Sequence, residues 1–535
     1  MWKMDRKDRP SYPDLGKVYP GDYYPDIPYS EYIGSQIQIS ENDRVFDLRS
    51  FGAVPDSGVV VTEAFRAAAM AAEEQGGGTI LVSGGSYIVG SISLPSFTTL
   101  FVAPDASLIS SRNLKDLLPE EDDTPDGCGK ISKEGKESSG GGLLCIQGAK
   151  HVRITGGGRI SGSGEWFVFE PREKPALSPF PVTMLPTREQ ENEINTVPGT
   201  VRTFYRNRIR YAEDKYDEGL IPLRRLSCLL WVDDSENVEI DHVILHDSMA
   251  WTLKVECSDH VRVHDIVIDD NRHVANTDGI DVCGSSDVDI RHCFISCADD
   301  GIVIKNPAST GRDMENVRIH DCMVMTVMNC FKIGTETYHD IRHITVEDCA
   351  FCLPDIYPGS TSGIAIESCD GSSVSDIRVT NIRMNKVLCP VYLCLNMRNR
   401  AGDPYIGQKG VNRYWGGSIR DVLIENVYAE NAELPCILTG FVRKNRSGER
   451  IRQAPENITI RNFTMIYRNN EEILHIPEEI PEFYENYPES NAHGDVDASG
   501  IWARHLDNLR LDGIQITPRS GNTRKLVKLT DVRQA

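Results

Sequence analysis

One eight-residue phrase recurs along this chain and constrains its fold more than any other feature. Asn237-Val238-Glu239-Ile240-Asp241-His242-Val243-Ile244 returns as His260-Val261-Arg262-Val263-His264-Asp265-Ile266-Val267. It returns again from Asp287 to Phe294 and from Asn316 to Met323, with starts 23, 27 and 29 residues apart. Further copies begin at Asp340, Asp376, Asp421, Asn457 and Asn508. Each copy carries Val or Ile at every second position and no helical period, so it reads as two short alternating strands. A near-fixed period of this size marks a solenoid. Alternation without helices makes it an all-β solenoid, with each strand stacked on its counterpart one coil on.

The rest of the chain is organised around that repeat. Residues 1–42 are rich in Tyr, Pro and Asp, show no period, and read as an irregular N-terminal extension. Residues 43–535 read as a single β-helix domain. Val45-Phe46-Asp47-Leu48 is a short strand, and Thr62 is expected to cap a helix running through Ala72. Gly76-Gly77-Gly78 stops that helix, and the segment 46–110 is expected to cap the N-terminal end of the coil stack. Loop insertions at 111–142, 165–225, 396–418 and 467–500 crowd one face, which in a solenoid is the binding face.

Composition narrows the partners. The 57 Lys and Arg against 79 Asp and Glu leave a net charge of −22, which argues against nucleic acid or an anionic membrane. No apolar run is long enough to span a bilayer. The start, Met1-Trp2-Lys3-Met4, lacks an apolar leader, so a cytoplasmic location is expected, or a secreted one if a leader has been removed. The 15 cysteines suit buried free thiols better than a disulfide scaffold. Cys293, Cys322 and Cys349 occupy related places in successive copies and are expected to form a ladder. Cys349 and Cys352 have no second pair at zinc spacing, so no metal and no cofactor is expected.

Two acidic clusters stand out. Asn276-Thr277-Asp278-Gly279-Ile280-Asp281 and Ala298-Asp299-Asp300-Gly301 lie about one coil apart, where equivalent positions stack at ~4.8 Å. Asp278, Asp299 and Asp300 therefore gather on one patch. Like charges this close push at least one pKa up. Stability gains nothing from that, whereas glycoside hydrolysis needs one protonated carboxyl and one ionised one. Adjacent strand residues face opposite sides, so Asp299 and Asp300 both reach a cleft only if the chain bends there.

With these motifs the sequence resembles glycoside hydrolase family 28, the polygalacturonase-like right-handed parallel β-helices. Phe46-Asp47-Leu48-Arg49-Ser50-Phe51-Gly52-Ala53, Ile154-Thr155-Gly156-Gly157-Gly158 and the two acidic motifs are similar to that family. So are Tyr487-Pro488-Glu489 and Gly500-Ile501-Trp502-Ala503-Arg504-His505. The resemblance implies that Asp299 is the general acid, and that Asp278 and Asp300 position and activate water, with inversion at the anomeric carbon. Lys305 matches a family lysine. Three departures stand against these matches. Asn329 occupies the place of a family histidine, and Gly363-Ile364-Ala365-Ile366-Glu367 replaces the Arg-Ile-Lys that holds a galacturonate carboxylate. A carboxylate at 367 would repel a uronate that Arg binds bidentately. The expected −1 sugar is therefore altered from galacturonate, with Glu367 accepting hydroxyl hydrogen bonds or pairing with Lys332.

Further substrate contacts are expected from Asn276, from Trp251 one coil before Asp278, and from Arg272 and His273 on the loop before Asn276. The 396–418 insertion offers Arg398, Arg413 and Trp415. The insertion at 165–225 is expected to wall off one end of the groove and make the enzyme exo-acting. The expected substrate is a pectin-type or related plant cell-wall oligosaccharide. The competing readings are a uronate lyase or epimerase, and a non-catalytic carbohydrate-binding β-helix.

Overall fold

The computed structural model describes residues 27–34, 37–113, 116–117, 141–164, 168–169, 221–222, 226–271, 274, 276–353, 359–398, 417–444, 447–467, 476, 480–494, 496–518 and 521–534. Their core is one 32-stranded sheet wound into a parallel β-helix. Between 228 and 353 each coil has three strands, not two. One coil runs Ile280–Cys283, Ser286–Arg291 and Phe294–Ser296. The next runs Ile302–Asn306, Met314–His320 and Met323–Met325. Every strand pairs in parallel with its counterpart one coil away. Later coils merge the second and third strands into long ones such as Ser373–Asn385 and Ser418–Ala432.

The repeat phrase has a conformational reason as well as a hydrophobic one. Its first residue sits in the left-handed region in every copy: Asn237, His260, Asp287, Asn316, His343, Asp376, Asp421, Asn457 and Asn508, with φ between 52° and 60°. Asn, Asp and His tolerate that region better than other residues with a Cβ, which explains the composition of the position. The copy expected at Asp340 is phased on His343 instead. Val317 and Ile319 pair with Ile344 and Val346, which sets the level.

Inward positions form apolar columns. Leu253, Ile280, Ile302, Phe331, Ile364 and Val391 lie level with one another and are at most 1 % exposed. The helix Thr62–Glu74, here α2, lays Phe65, Ala68 and Ala72 against Ile80 and Val82 at the N-terminal end of the stack. Thr62 does not cap it. The cap residue is Val61, and the Thr62 hydroxyl accepts from the Gly90 amide at 2.7 Å.

Two flanking segments leave the repeat and pack on its outside. The N-terminal extension is not wholly irregular: Tyr29–Ile33 form a short helix, α1, and Ile27 and Tyr32 pack on Val267, Phe294, Met323 and Met325. Near the other terminus, part of the 467–500 insertion covers the cleft side. Val496 and Ala498 pack with the outward residues Ala365, Tyr392 and Trp502, and Arg504 donates to the carbonyls of Ile480, Pro481 and Glu482. The described cysteines are all free thiols, with Cys293, Cys322 and Cys349 buried at equivalent levels. No helix among the described residues is long and apolar enough to cross a membrane.

The column predicts its own test. Ile304→Ala removes a fully buried side chain between two coils and should cost about 2–5 kcal/mol in urea unfolding. A loss well below that range would mean the coil stack closes over the cavity.

Candidate active site

The two acidic motifs fall at corners leading into the cleft strands Ile280–Cys283 and Ile302–Asn306. Their glycines are what let the corners stack. A Cβ on Gly279 would lie 2.5 Å from the Gly301 oxygen, and one on Gly301 would lie 2.6 Å from the Cys330 oxygen. Ile280 is level with Ile302, so Asp278 is level with Asp300, and the Gly279 amide donates to the Asp300 carbonyl at 2.9 Å. Asp299 is level with Thr277 rather than with Asp278, as its amide contact to the Thr277 carbonyl shows. Both Asp299 and Asp300 precede the strand, in the bend, so alternation does not separate them. One oxygen from each of Asp278, Asp299 and Asp300 lies within 4.8 Å of the others.

The three carboxyls meet different surroundings. Asp300 is buried, yet its carboxyl is held below the usual range, because Lys332, Lys305 and Asn329 outweigh the burial. Lys332 Nζ lies 3.1 Å from Asp300 Oδ2, and Asn329 donates to Oδ1 through its side chain at 2.7 Å and its backbone at 3.1 Å. Burial pushes Asp278 well up against the opposing pull of Lys305, and its neighbours Asp281, Asp299 and Asp300 add to the rise. Lys305 bridges Asp278 at 3.2 Å and Asp281 at 2.7 Å, with its ammonium 3.8 Å from the Trp251 ring centre. Asp281, raised to about 6 by burial, was not singled out from the sequence. Its place in the first acidic motif, alternating with the inward Ile280 and Val282, was the available signal. Asp299 is the half-buried member of the three, with the Asn276 amide 3.5 Å from its Oδ2.

The remaining expected contacts are distributed unevenly. Lys332 pairs with Asp300, not with Glu367. Glu367 is 1 % exposed, and burial pushes its carboxyl up to about 8, with Glu489 and Asp300 adding to the rise. It is therefore neutral near pH 7, which removes the fixed negative charge expected there. Arg398 is not on an open loop: it is buried, and its Nη2 lies 3.1 Å from both Glu336 and Asp370. Asn329 clamps Asp300 through Nδ2, while its Oδ1 is buried without a hydrogen-bond partner. Trp251 has one face covered by Lys305 and is half-buried. Arg272, His273, Arg413 and Trp415 lie outside the described residues. Sequence reasoning also passed over the individual role of Tyr487, which is 42 % exposed, takes a hydrogen bond from Thr335 at 2.8 Å, and has Lys332 and Arg398 near its ring.

A parallel β-helix with three crowded carboxyls, one pushed up by burial and one held down by its ammonium and amide partners, has the parts of a glycoside hydrolase. The same trio is a set that could ligate a cation, with two buried ammonium groups already facing it. Comparison with known proteins agrees with the class. Residues 218–433 match the profile of the glycosyl hydrolases family 28. A probable polygalacturonase of Vitis vinifera is 23 % identical over 71 % of this chain and 68 % of its own length. An exopolygalacturonase from Thermotoga maritima shares the fold, with a TM-score of 0.61 and 16 % identity over 91 % of this chain and 95 % of that one. A Yersinia enterocolitica family 28 exopolygalacturonase does so at 0.61 and 15 %, over 93 % and 79 %. The chain is similar to family 28 over residues 218–433, has the right-handed parallel β-helix of these solved structures, and is a glycoside hydrolase by class.

Glu367 supplies a pH test of this electrostatic picture. The carboxyl ionises near 4.5 when unfolded and near 8 when folded. Across that window the folded state alone keeps the proton, so stability falls as pH rises. Glu367→Gln should match wild type at about pH 4 and exceed it by roughly 2–5 kcal/mol at about pH 8.5. Equal denaturation curves at both pH values would show that the buried carboxyl is not neutral.

Proposed function

We propose that this protein is an inverting, exo-acting glycoside hydrolase. Its substrates are α-linked pectin-type or related plant cell-wall oligosaccharides, at a −1 sugar other than galacturonate. The observation that carries the reading is the crowding of Asp278, Asp299 and Asp300 within 4.8 Å of one another, with Asp300 held below the usual carboxylate range by Lys332, Lys305 and Asn329. Asp300, held ionised by Lys332 and Asn329, takes the proton of the attacking water, and Asp278 orients that water from the level one coil below. Asp299, the least buried member, delivers a proton to the departing glycosidic oxygen. The nearest oxygens are closer than the ~6.5–9.5 Å usual between inverting carboxyls. With two carboxyls on one side of the water, inversion remains the reading.

Two further features support the finer claims. Beyond Lys332 the outward column continues through Ala365, Tyr392, Ile437 and Trp502, and Val496 and Ala498 cover it. That cover on one side of the carboxyl trio supports removal of terminal sugars. Ala365, level with Lys332, and a neutral Glu367 beside it suit sugar hydroxyls better than a uronate carboxylate. The relatives named above carry polygalacturonase names, so polygalacturonate is the natural competing substrate.

Hydrolysis of a panel of α-linked galacturonate, rhamnogalacturonan and neutral-sugar oligosaccharides tests this, with proton NMR reading the first anomer released. Release of a neutral terminal sugar with inverted configuration is expected. Asp299→Asn should lower kcat by about 10²–10⁴-fold while substrate still binds. Cleavage of polygalacturonate instead would overturn the altered sugar pocket, and a retained anomer would overturn the roles given to Asp278 and Asp300. An Asp299→Asn protein as active as wild type would overturn catalysis at this site.

A further inference from the structure

The corner that delivers Asp278 to the cleft is longer than the two that follow it. Asp270–Gly279 separate Val267–Asp269 from Ile280–Cys283, whereas the next corner spans only 297–301 and the one after it 326–328. A corner of ten residues has many conformations, and a catalytic carboxyl at its far end needs a fixed place. The structure holds both ends of this corner on one residue of the preceding coil. At the near end, the Thr252 hydroxyl donates to Asp270 Oδ2, and Asp270 Oδ1 accepts from the Ser248 amide at 2.7 Å. At the far end, the Thr252 amide donates to the Asp278 carbonyl at 2.8 Å. Thr252 is 0 % exposed and Asp270 1 %. A buried carboxyl meeting a buried hydroxyl contributes nothing to the apolar columns, and neither group touches the cleft carboxylates directly.

We propose that Thr252 and Asp270 are positioning residues that fix the two ends of this corner, at Asp270 and Asp278, and so set where Asp278 stands relative to Asp300. This staple works through the backbone. Asp270 fixes the side chain of Thr252, and the strand Trp251–Glu256 then presents a fixed amide to Asp278. Asp278 in turn shares Lys305 with Asp281, and Asp300 holds Lys332, so a shift of Asp278 changes how the ammonium groups divide among Asp278, Asp281 and Asp300.

This inference rests on the hydrolytic reading for its kinetic arm only. Thr252→Val keeps the shape of the side chain and removes the hydroxyl. It should lower kcat about 5- to 50-fold with KM changed less than about threefold, and Thr252→Ser should restore most of the loss. The second arm needs no substrate: carbon NMR of aspartate-labelled protein follows the carboxyl titrations, and Thr252→Val should move those of Asp278 and Asp300 while Thr252→Ser leaves them in place. If Thr252→Val does not fold, Asp270→Ser, which shortens the acceptor, takes its place with the same two readouts. Folded variants with wild-type kcat and unmoved titrations overturn the staple. Wild-type protein that turns over none of the panel sugars overturns the hydrolytic reading instead, and the titrations still decide the staple.

Discussion

Everything in this molecule depends on parallel, level-by-level pairing of each coil with the next. Hydrogen bonding sets the coils ~4.8 Å apart, so any property placed at one level is repeated at close quarters on its neighbours. Inward, that spacing turns Leu253, Ile280, Ile302 and Phe331 into a continuous apolar column. Outward, it brings Asp278 and Asp300 to adjacent levels and leaves them no room to separate. The glycines beside them are required for the same reason, because a Cβ at either would meet the carbonyl of the next coil.

Crowded carboxylates must be compensated, and the outward layer is built as alternating charge. Lys254 pairs with Glu256, Lys305 with Asp278 and Asp281, Lys332 with Asp300, and Arg398 with Glu336 and Asp370. These cations are almost fully enclosed, so removing any one leaves an uncompensated buried charge. The compensation is uneven, and that unevenness carries the chemistry. Asp300 receives an ammonium and two amide donors, whereas Asp278 shares one ammonium with Asp281. Burial thus raises Asp278, whereas Lys332, Lys305 and Asn329 outweigh it at Asp300.

The departures from the family pattern follow the same logic. Asn329 supplies through an amide what a titratable ring would otherwise supply, so Asp300 is stabilised without adding another group that changes charge near neutral pH. Glu367 stands in so dry a place that it keeps its proton, and the pocket beside Lys332 loses an anion rather than gaining one. Lys332, one level from Ala365, is then the principal cation on that part of the column. A change of two residues on one strand is read correctly only together with the strand beside it.

The solenoid, its phase and the two acidic motifs were legible in the residues. Alternation shows without tertiary context, and Asn, Asp or His at the left-handed corner marks each turn. The spacing of the Asp motifs was enough to bring their carboxyls together, and the bend that both Asp299 and Asp300 require follows from alternation alone. What the residues did not contain is long-range. The level of Asp278 against Asp300 rather than Asp299 depends on backbone pairing with the neighbouring coils, Thr252 on one side and Asp300 on the other. The burial that makes Glu367 neutral and hides Arg398 between Glu336 and Asp370 depends on packing of distant segments. The cover over Ala365 and Tyr392 comes from residues more than a hundred positions away. Sequence by itself determined which chemistry is present and how often the chain turns. Only the tertiary structure decided which acid keeps its proton, because that depends on dielectric and on partners brought from other coils.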